Sequence, residues 1–209
     1  LSVLEAGGDL SGVPNIVWRR ADGECVTNPR QREGLVMDEL PLPRRDLLKK
    51  TANHYVTTHA VQTGRGCEHR CRFCSITAFF AHRHHSRPLE SVLEELETIP
   101  RHFMFVDDNI IGDPEFARRL FWAMIPMRKR WISQCSLEIA DDPELLELAY
   151  RAGCRGVFVG IESISEANLA AMEKEFNDSG SYLTRIRRIQ RAGIGVQAGM
   201  IVGLDGDDV

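Results

Sequence analysis

Cys67, Cys71 and Cys74 fall within eight residues, with three and then two residues between them. Thiols grouped so tightly serve a metal, because a disulfide framework in a secreted chain disperses its cysteines. Three thiolates can hold three irons of a 4Fe-4S cubane and leave the fourth iron open to an external ligand, whereas a closed electron-transfer cluster takes four. The competing chemistry is a tetrahedral zinc site completed by His69 or His82. No second Cys-x-x-Cys knuckle is present to make the usual paired zinc arrangement. Cys25, Cys135 and Cys154 stand apart and are expected to behave as small hydrophobes.

A metal loop needs a scaffold, and the sequence around it alternates short apolar runs with amphipathic stretches. Strands are predicted at 57–63, 102–106, 131–139, 156–161 and 196–202. Between them, Pro88 precedes an apolar face of Leu89, Val92, Leu93 and Leu96, and Asp113-Pro114 precedes Phe116, Leu120 and Met124. Asp142-Pro143 likewise precedes Leu145, Leu146 and Ala149. Aspartate caps a helix and proline suits its first turn, so each marks a helix start. Further helices follow Ser165, with Leu169 and Met172, and span 182–192, with Ile186 and Ile189, up to Gly193. Gly153 can take the left-handed conformation that ends a helix. Helices that feed straight into apolar strands imply parallel strands joined by right-handed crossovers.

The expected fold class is therefore α/β: a partial (β/α) TIM-like barrel of parallel strands, truncated after about strand five. Residues 51–209 are assigned to it, as a fragment incomplete at its C-terminus. Residues 1–50 read as the tail of an N-terminal domain plus a linker. A hairpin is expected from 16–18 and 24–26 about Asp22-Gly23, then an extended connector or strap at 40–45, where Pro41 and Pro43 forbid helix. Gly64-Arg65-Gly66 opens the cysteine loop at the carboxyl end of the first strand, where alternating barrels collect their chemistry.

Composition narrows the class. With 209 residues, 43% hydrophobic and 27% charged, the chain can bury a sizeable core. A net charge of −4 with mixed signs gives no electrostatic case for nucleic acid or an anionic membrane. The longest nearly apolar stretch, 192–204, is too short to span a bilayer, and no signal-peptide pattern opens the chain, so a cytoplasmic, reducing location is expected. The basic run 81–87, with His82, His84 and His85, reads as a solvated approach to the helix that follows.

The segment Cys67-Glu68-His69-Arg70-Cys71-Arg72-Phe73-Cys74, with an aromatic before its last cysteine, resembles the radical S-adenosylmethionine superfamily over roughly residues 57–205. The resemblance implies a 4Fe-4S cluster whose open iron chelates the amino and carboxyl groups of S-adenosylmethionine. One electron into the sulfonium then frees a deoxyadenosyl radical. Phe73 would lie near the adenine. Asp107 or Asp108, standing where the family often has Gly-Gly-Glu, would accept from the amino group, with ordinary loop capping as the alternative. Glu162 and Ser163, ending strand four, would bind the ribose hydroxyls. A salt bridge from Glu162 to an arginine is the plainer reading. Gly199, Ile201 and Gly203 resemble the strand-five pattern, with Ile201 beside the adenine. Glu138 could also face the cavity.

The connector and the 107–109 and 160–163 variants look like the cobalamin-binding branch, which includes hopanoid methylases. There, residues 1–40 would be the tail of a Rossmann-like domain, but no Asp-x-His-x-x-Gly is present, so cobalamin would be held outside this chain. The implied partners are a small-molecule or lipid-like substrate and an external electron donor such as flavodoxin or ferredoxin. The competing class is a non-catalytic zinc or iron-sulfur module for partner binding or electron transfer.

Overall fold

A computed structural model describes residues 2–29, 37, 40–48, 59–205 and 207. The chain forms two compact units, Leu1–Val36 and Met37–Val209. In the first, a short helix α1 (Ser2–Glu5) precedes the antiparallel hairpin of β1 (Val17–Arg19) and β2 (Cys25–Thr27), with Trp18 opposite Val26. Gly23 turns it at a φ of 90°, so the expected hairpin is present, displaced by one residue. Buried Asn28 ties the unit together: it accepts from the Trp18 indole at 3.1 Å and donates to the Leu10 and Val13 carbonyls at 2.6 Å. The predicted boundary at 50–51, and the first two residues of the predicted first strand, lie outside the described residues.

The second unit runs β3 (Ala60–Val61), β4 (Gly64–Arg65), α2 (Ser75–Phe80), β5 (His85–Ser86), α3 (Leu89–Thr98), β6 (His102–Phe105), α4 (Pro114–Met124), β7 (Arg130–Gln134), α5 (Pro143–Arg151), β8 (Cys154–Glu162), α6 (Glu166–Ala171), α7 (Tyr182–Arg191) and β9 (Gly195–Met200). Five strands pair in parallel in the order β3-β6-β7-β8-β9, the α/β arrangement of a partial barrel. Residues two apart share a strand face. Phe103, Phe105, Trp131, Val157 and Val159 thus bury against helix residues such as Leu96, Leu120, Phe121 and Leu145. The opposite face carries Met104, Ile132 and Phe158, the last two 45% and 38% exposed.

The helix starts follow the sequence. Asp113 accepts from the Phe116 N–H at 3.0 Å, Asp142 from the Leu145 N–H at 2.9 Å, and Gly153 takes a φ of 105°. The strands depart from it at their ends. β7 stops at Gln134 because Asn109 Oδ1 accepts the Ser136 N–H at 3.1 Å and draws the chain into a 3-10 turn at Leu137–Asp141. Chain 64–65 leaves the main sheet and pairs antiparallel with β5. The basic run 81–87 is therefore partly a structural arm and not wholly a solvated approach: His84 and His85 are half-buried and Arg87 is buried. Arg87 tolerates burial because it shares Glu95, itself 1% exposed, with Arg45, both at 2.5 Å. Arg45 also donates to the Ala60 carbonyl, so the 40–48 connector straps the start of the sheet, as expected of it. Among the described residues no helix is long and apolar enough to cross a membrane.

Candidate functional site

The cysteine loop is held from beneath by two neighbouring carboxylates. Asp107, in the turn after β6, is 1% exposed and accepts from the Thr63 hydroxyl at 2.7 Å, the Thr63 N–H at 3.0 Å and the Gly64 N–H at 2.7 Å. Burial pushes its pKa up to about 6, against the pull of those donors. Asp108 accepts from the Gly66 N–H at 2.8 Å. Gly66 itself has a φ of 91°, and a Cβ there would strike the Arg83 carbonyl, so only glycine makes this turn without moving the neighbouring arm.

Beyond Gly66 the three cysteines line one cavity of about 200 Å³, together with Phe73, Asp108, Glu162 and Lys174. Burial pushes the Cys67 thiol up, reinforced by Cys71 and Cys74, while the His69 N–H facing its sulfur pulls the other way. Burial also pushes Cys71 up, opposed by Lys174. Thiols in such a setting ionise when a cation takes the charge, which is the chemistry of a metal cup. Among the described residues, no three histidine, cysteine, aspartate or glutamate side chains gather closely enough to hold a single metal ion. A cubane binds each thiolate at a separate corner.

Of the histidines offered for zinc, His69 lines the same cavity but is engaged by its neighbours. His69 stacks on Phe176, ring centres 3.7 Å apart and 9° from parallel, and its Nε2 lies 3.0 Å from Glu138. That contact holds the Glu138 carboxyl below its ordinary range. His82 is exposed, with a φ of 59°. The cavity thus presents three thiols beside His69, Asp108 and Glu162, and three thiols fit a 4Fe-4S cluster with one iron lacking a protein ligand.

Opposite them, Glu162 ends β8 at a φ of 65° and folds back over Gly160, where any Cβ would meet its carboxylate. A non-glycine residue in that region is strained, and strain of this kind collects at functional sites. Its partner is not the expected arginine but Lys174, at 3.5 Å. Lys174 is 8% exposed and lies 4.9 Å from the Phe176 ring centre and 5.8 Å from that of Phe73.

The structure therefore gathers Cys67, Cys71, Cys74, Phe73, Asp108 and Glu162 at one cavity, and sets five other expected residues outside it. Asp107 braces the loop from behind. Ser163 accepts from the Ser165 N–H at 3.1 Å, and its carbonyl accepts from the Tyr182 hydroxyl at 3.1 Å. Gly199 lies beneath the Phe158 ring, Ile201 packs on the core, and the Gly203 N–H donates to Asp207 at 2.8 Å. Lys174 and Phe176 escape the sequence reading because they sit in an aperiodic charged turn. Cys135, read as a small hydrophobe, is buried as expected yet forms part of the cavity wall. Gln134 and Phe158 line this cavity and also a larger hollow of about 690 Å³ on the inner face of the sheet.

Residues 61–209 match the family model of the Radical SAM superfamily. An uncharacterized methyltransferase of Synechocystis sp. is 30% identical over 206 residues, covering 93% of this chain and 38% of that protein. The hopanoid C-2 methylase of Rhodopseudomonas palustris is 31% identical over 199 residues, covering 87% and 37%. The solved structure of OxsB, a cobalamin-dependent S-adenosylmethionine radical enzyme, superposes with a TM-score of 0.81 over 96% of this chain and 31% of that one, at 18% identity, a likeness of fold. This chain spans less than two fifths of the length of these two curated relatives. Because the family match runs from β3 through all three cysteines to the end of the chain, the chain belongs to the radical SAM superfamily.

Proposed function

We propose that this chain is the core of an enzyme in which Cys67, Cys71 and Cys74 hold a 4Fe-4S cluster and cleave S-adenosylmethionine reductively to start radical chemistry on a small organic substrate. The observation that carries the reading is a cup of three thiols facing a half-buried carboxylate and a buried ammonium across one small cavity. Bound there, the cluster would supply one electron to the sulfonium.

The remaining work falls to the chain's own side chains. Lys174 offers a desolvated cation to the carboxylate of S-adenosylmethionine, while Glu162 and Asp108 offer carboxylate oxygens to its ammonium group or ribose hydroxyls. Phe73, half-exposed at the rim, gives the adenine an aromatic face. His69, fixed between Glu138 and Phe176, orients the loop that presents Cys67 and Cys71. The methylase among the relatives, and the likeness to OxsB, support methyl transfer with cobalamin as the finer proposal. An electron donor of the flavodoxin or ferredoxin kind would serve it in the cytoplasm.

The test is anaerobic reconstitution of the chain with iron and sulfide, followed by dithionite and S-adenosylmethionine, with 5′-deoxyadenosine measured by chromatography. Turnover is expected, and Cys67→Ala, Cys71→Ala or Cys74→Ala should each lower it by at least about a hundredfold, because each removes one iron ligand. One zinc bound per chain, with no iron uptake, would overturn the proposal.

A further inference from the structure

The inner face of the sheet is graded along the strands. At one level of the register stand Met104, Ile132, Gly156 and Gly195, each the partner of the next. Two glycines in that row leave the backbone bare, which opens the hollow of about 690 Å³ between apolar walls. One level toward the cysteines, Gln134, Phe158 and Gln197 form the next row, and Gln134 and Phe158 are shared with the cluster cavity. One level the other way, the row is basic: His102 pairs with Arg130. Because side chains two apart share a face, His102 and Arg130 lie on the same side as Met104 and Ile132.

This floor carries uncompensated positive charge. Arg155 and Arg101 are close enough to press on the Arg130 guanidinium, after the effect of its burial. Among the described residues no carboxylate pairs with Arg101, Arg130 or Arg155, although arginines elsewhere in the chain find acidic partners such as Glu95, Asp142 and Asp141. Arg155 is occupied by carbonyls and by the Tyr150 ring at 4.3 Å, and Arg130 reaches only the Lys129 carbonyl at 3.4 Å. A guanidinium beside an apolar trough and lacking an acid is arranged for an anion supplied from outside.

We propose that the trough binds an amphiphilic substrate whose carboxylate or phosphate sits on Arg130 and His102 and whose apolar body runs along Met104, Ile132 and Phe158 toward the cysteines. Four residue-to-residue steps of strand lead from Arg130 to Gln134, so the apolar body spans on the order of 13 Å. The inference rests on the function proposed above for the choice of reacting end, but its binding step does not. Gln134 and Phe158 form the lip across which the reacting carbon meets the cluster cavity.

The experiment uses the full chain without cluster or S-adenosylmethionine, and titrates 11-(dansylamino)undecanoate and its methyl ester by fluorescence. The acid is expected to saturate and the ester to bind about tenfold more weakly, as expected for losing one charge-assisted hydrogen bond. Arg130→Gln should bring the acid down to the ester's affinity, Arg130→Lys should retain most of the difference, and Ile132→Asp should weaken both probes. Equal binding of acid and ester, an unchanged preference in Arg130→Gln, or no saturable binding of either would overturn the proposal. Deoxyadenosine formation is measured separately on the reconstituted parent chain. Loss of that activity in the parent would count against the proposed function alone, and loss of probe discrimination against the trough alone.

Discussion

Asp107 is a carboxylate that serves the site from behind. Its pKa of about 6 in the fold, against an ordinary 3.8, means that the folded chain keeps a proton which the unfolded chain has released. The stability contributed by this group is therefore complete below about pH 4 and is lost as pH rises through 6, a difference of up to about 3 kcal/mol. Urea denaturation across that window should show the decline, and Asp107→Asn, which cannot titrate, should flatten it. The cysteines were legible because their spacing is local and their chemistry narrow. Lys174 was not, because it meets Glu162 across a turn whose course no periodicity reports. Asp107 and Asp108 were recognised as a pair, yet the sequence could not divide their work: one is buried under the loop and the other borders the cavity.

Helix starts were the most readable part of the architecture, since an aspartate followed by proline states both the cap and the first turn. Asp113→Ala should cost about 1 kcal/mol in thermal or urea unfolding. The ion triad of Arg45, Glu95 and Arg87 is a different matter, since removing the central carboxylate leaves two arginines facing each other in the interior. Glu95→Ala should therefore destabilise by roughly 3–5 kcal/mol, measured the same way. Strand ends were less legible because side chains from other loops decide them. Asn109 ends β7 by capturing the Ser136 N–H, and the antiparallel pairing of β4 with β5 takes two residues from what reads as the opening of the cysteine loop and two from what reads as a solvated approach. Neighbours within β7 have opposite duties. Trp131→Ala should cost roughly 3–5 kcal/mol by opening the core, whereas Ile132→Ala, on the half-exposed inner face, should stay within about 1 kcal/mol.

At the scale of the whole chain, the sheet is strongest in its middle. Among the described residues, β6, β7 and β8 are paired on both sides, while β3 and β9 each have one partner. Hydrogen exchange followed by mass spectrometry should find the slowest amides in the peptides holding Phe105, Trp131 and Val157, and much faster exchange in β9. The parallel order was readable from the alternation of helices and strands. The graded inner face was not, because it emerges only when the register sets His102 beside Arg130 and Gly156 beside Gly195. The left-handed turn at Gly66 bears on engineering. With the Arg83 carbonyl seated where a side chain would project, residues 64–74 are no free-standing cassette. Anyone grafting that loop into a host barrel would have to transplant residues 83–86 along with it, or the cysteine hook would arrive without its backing plate.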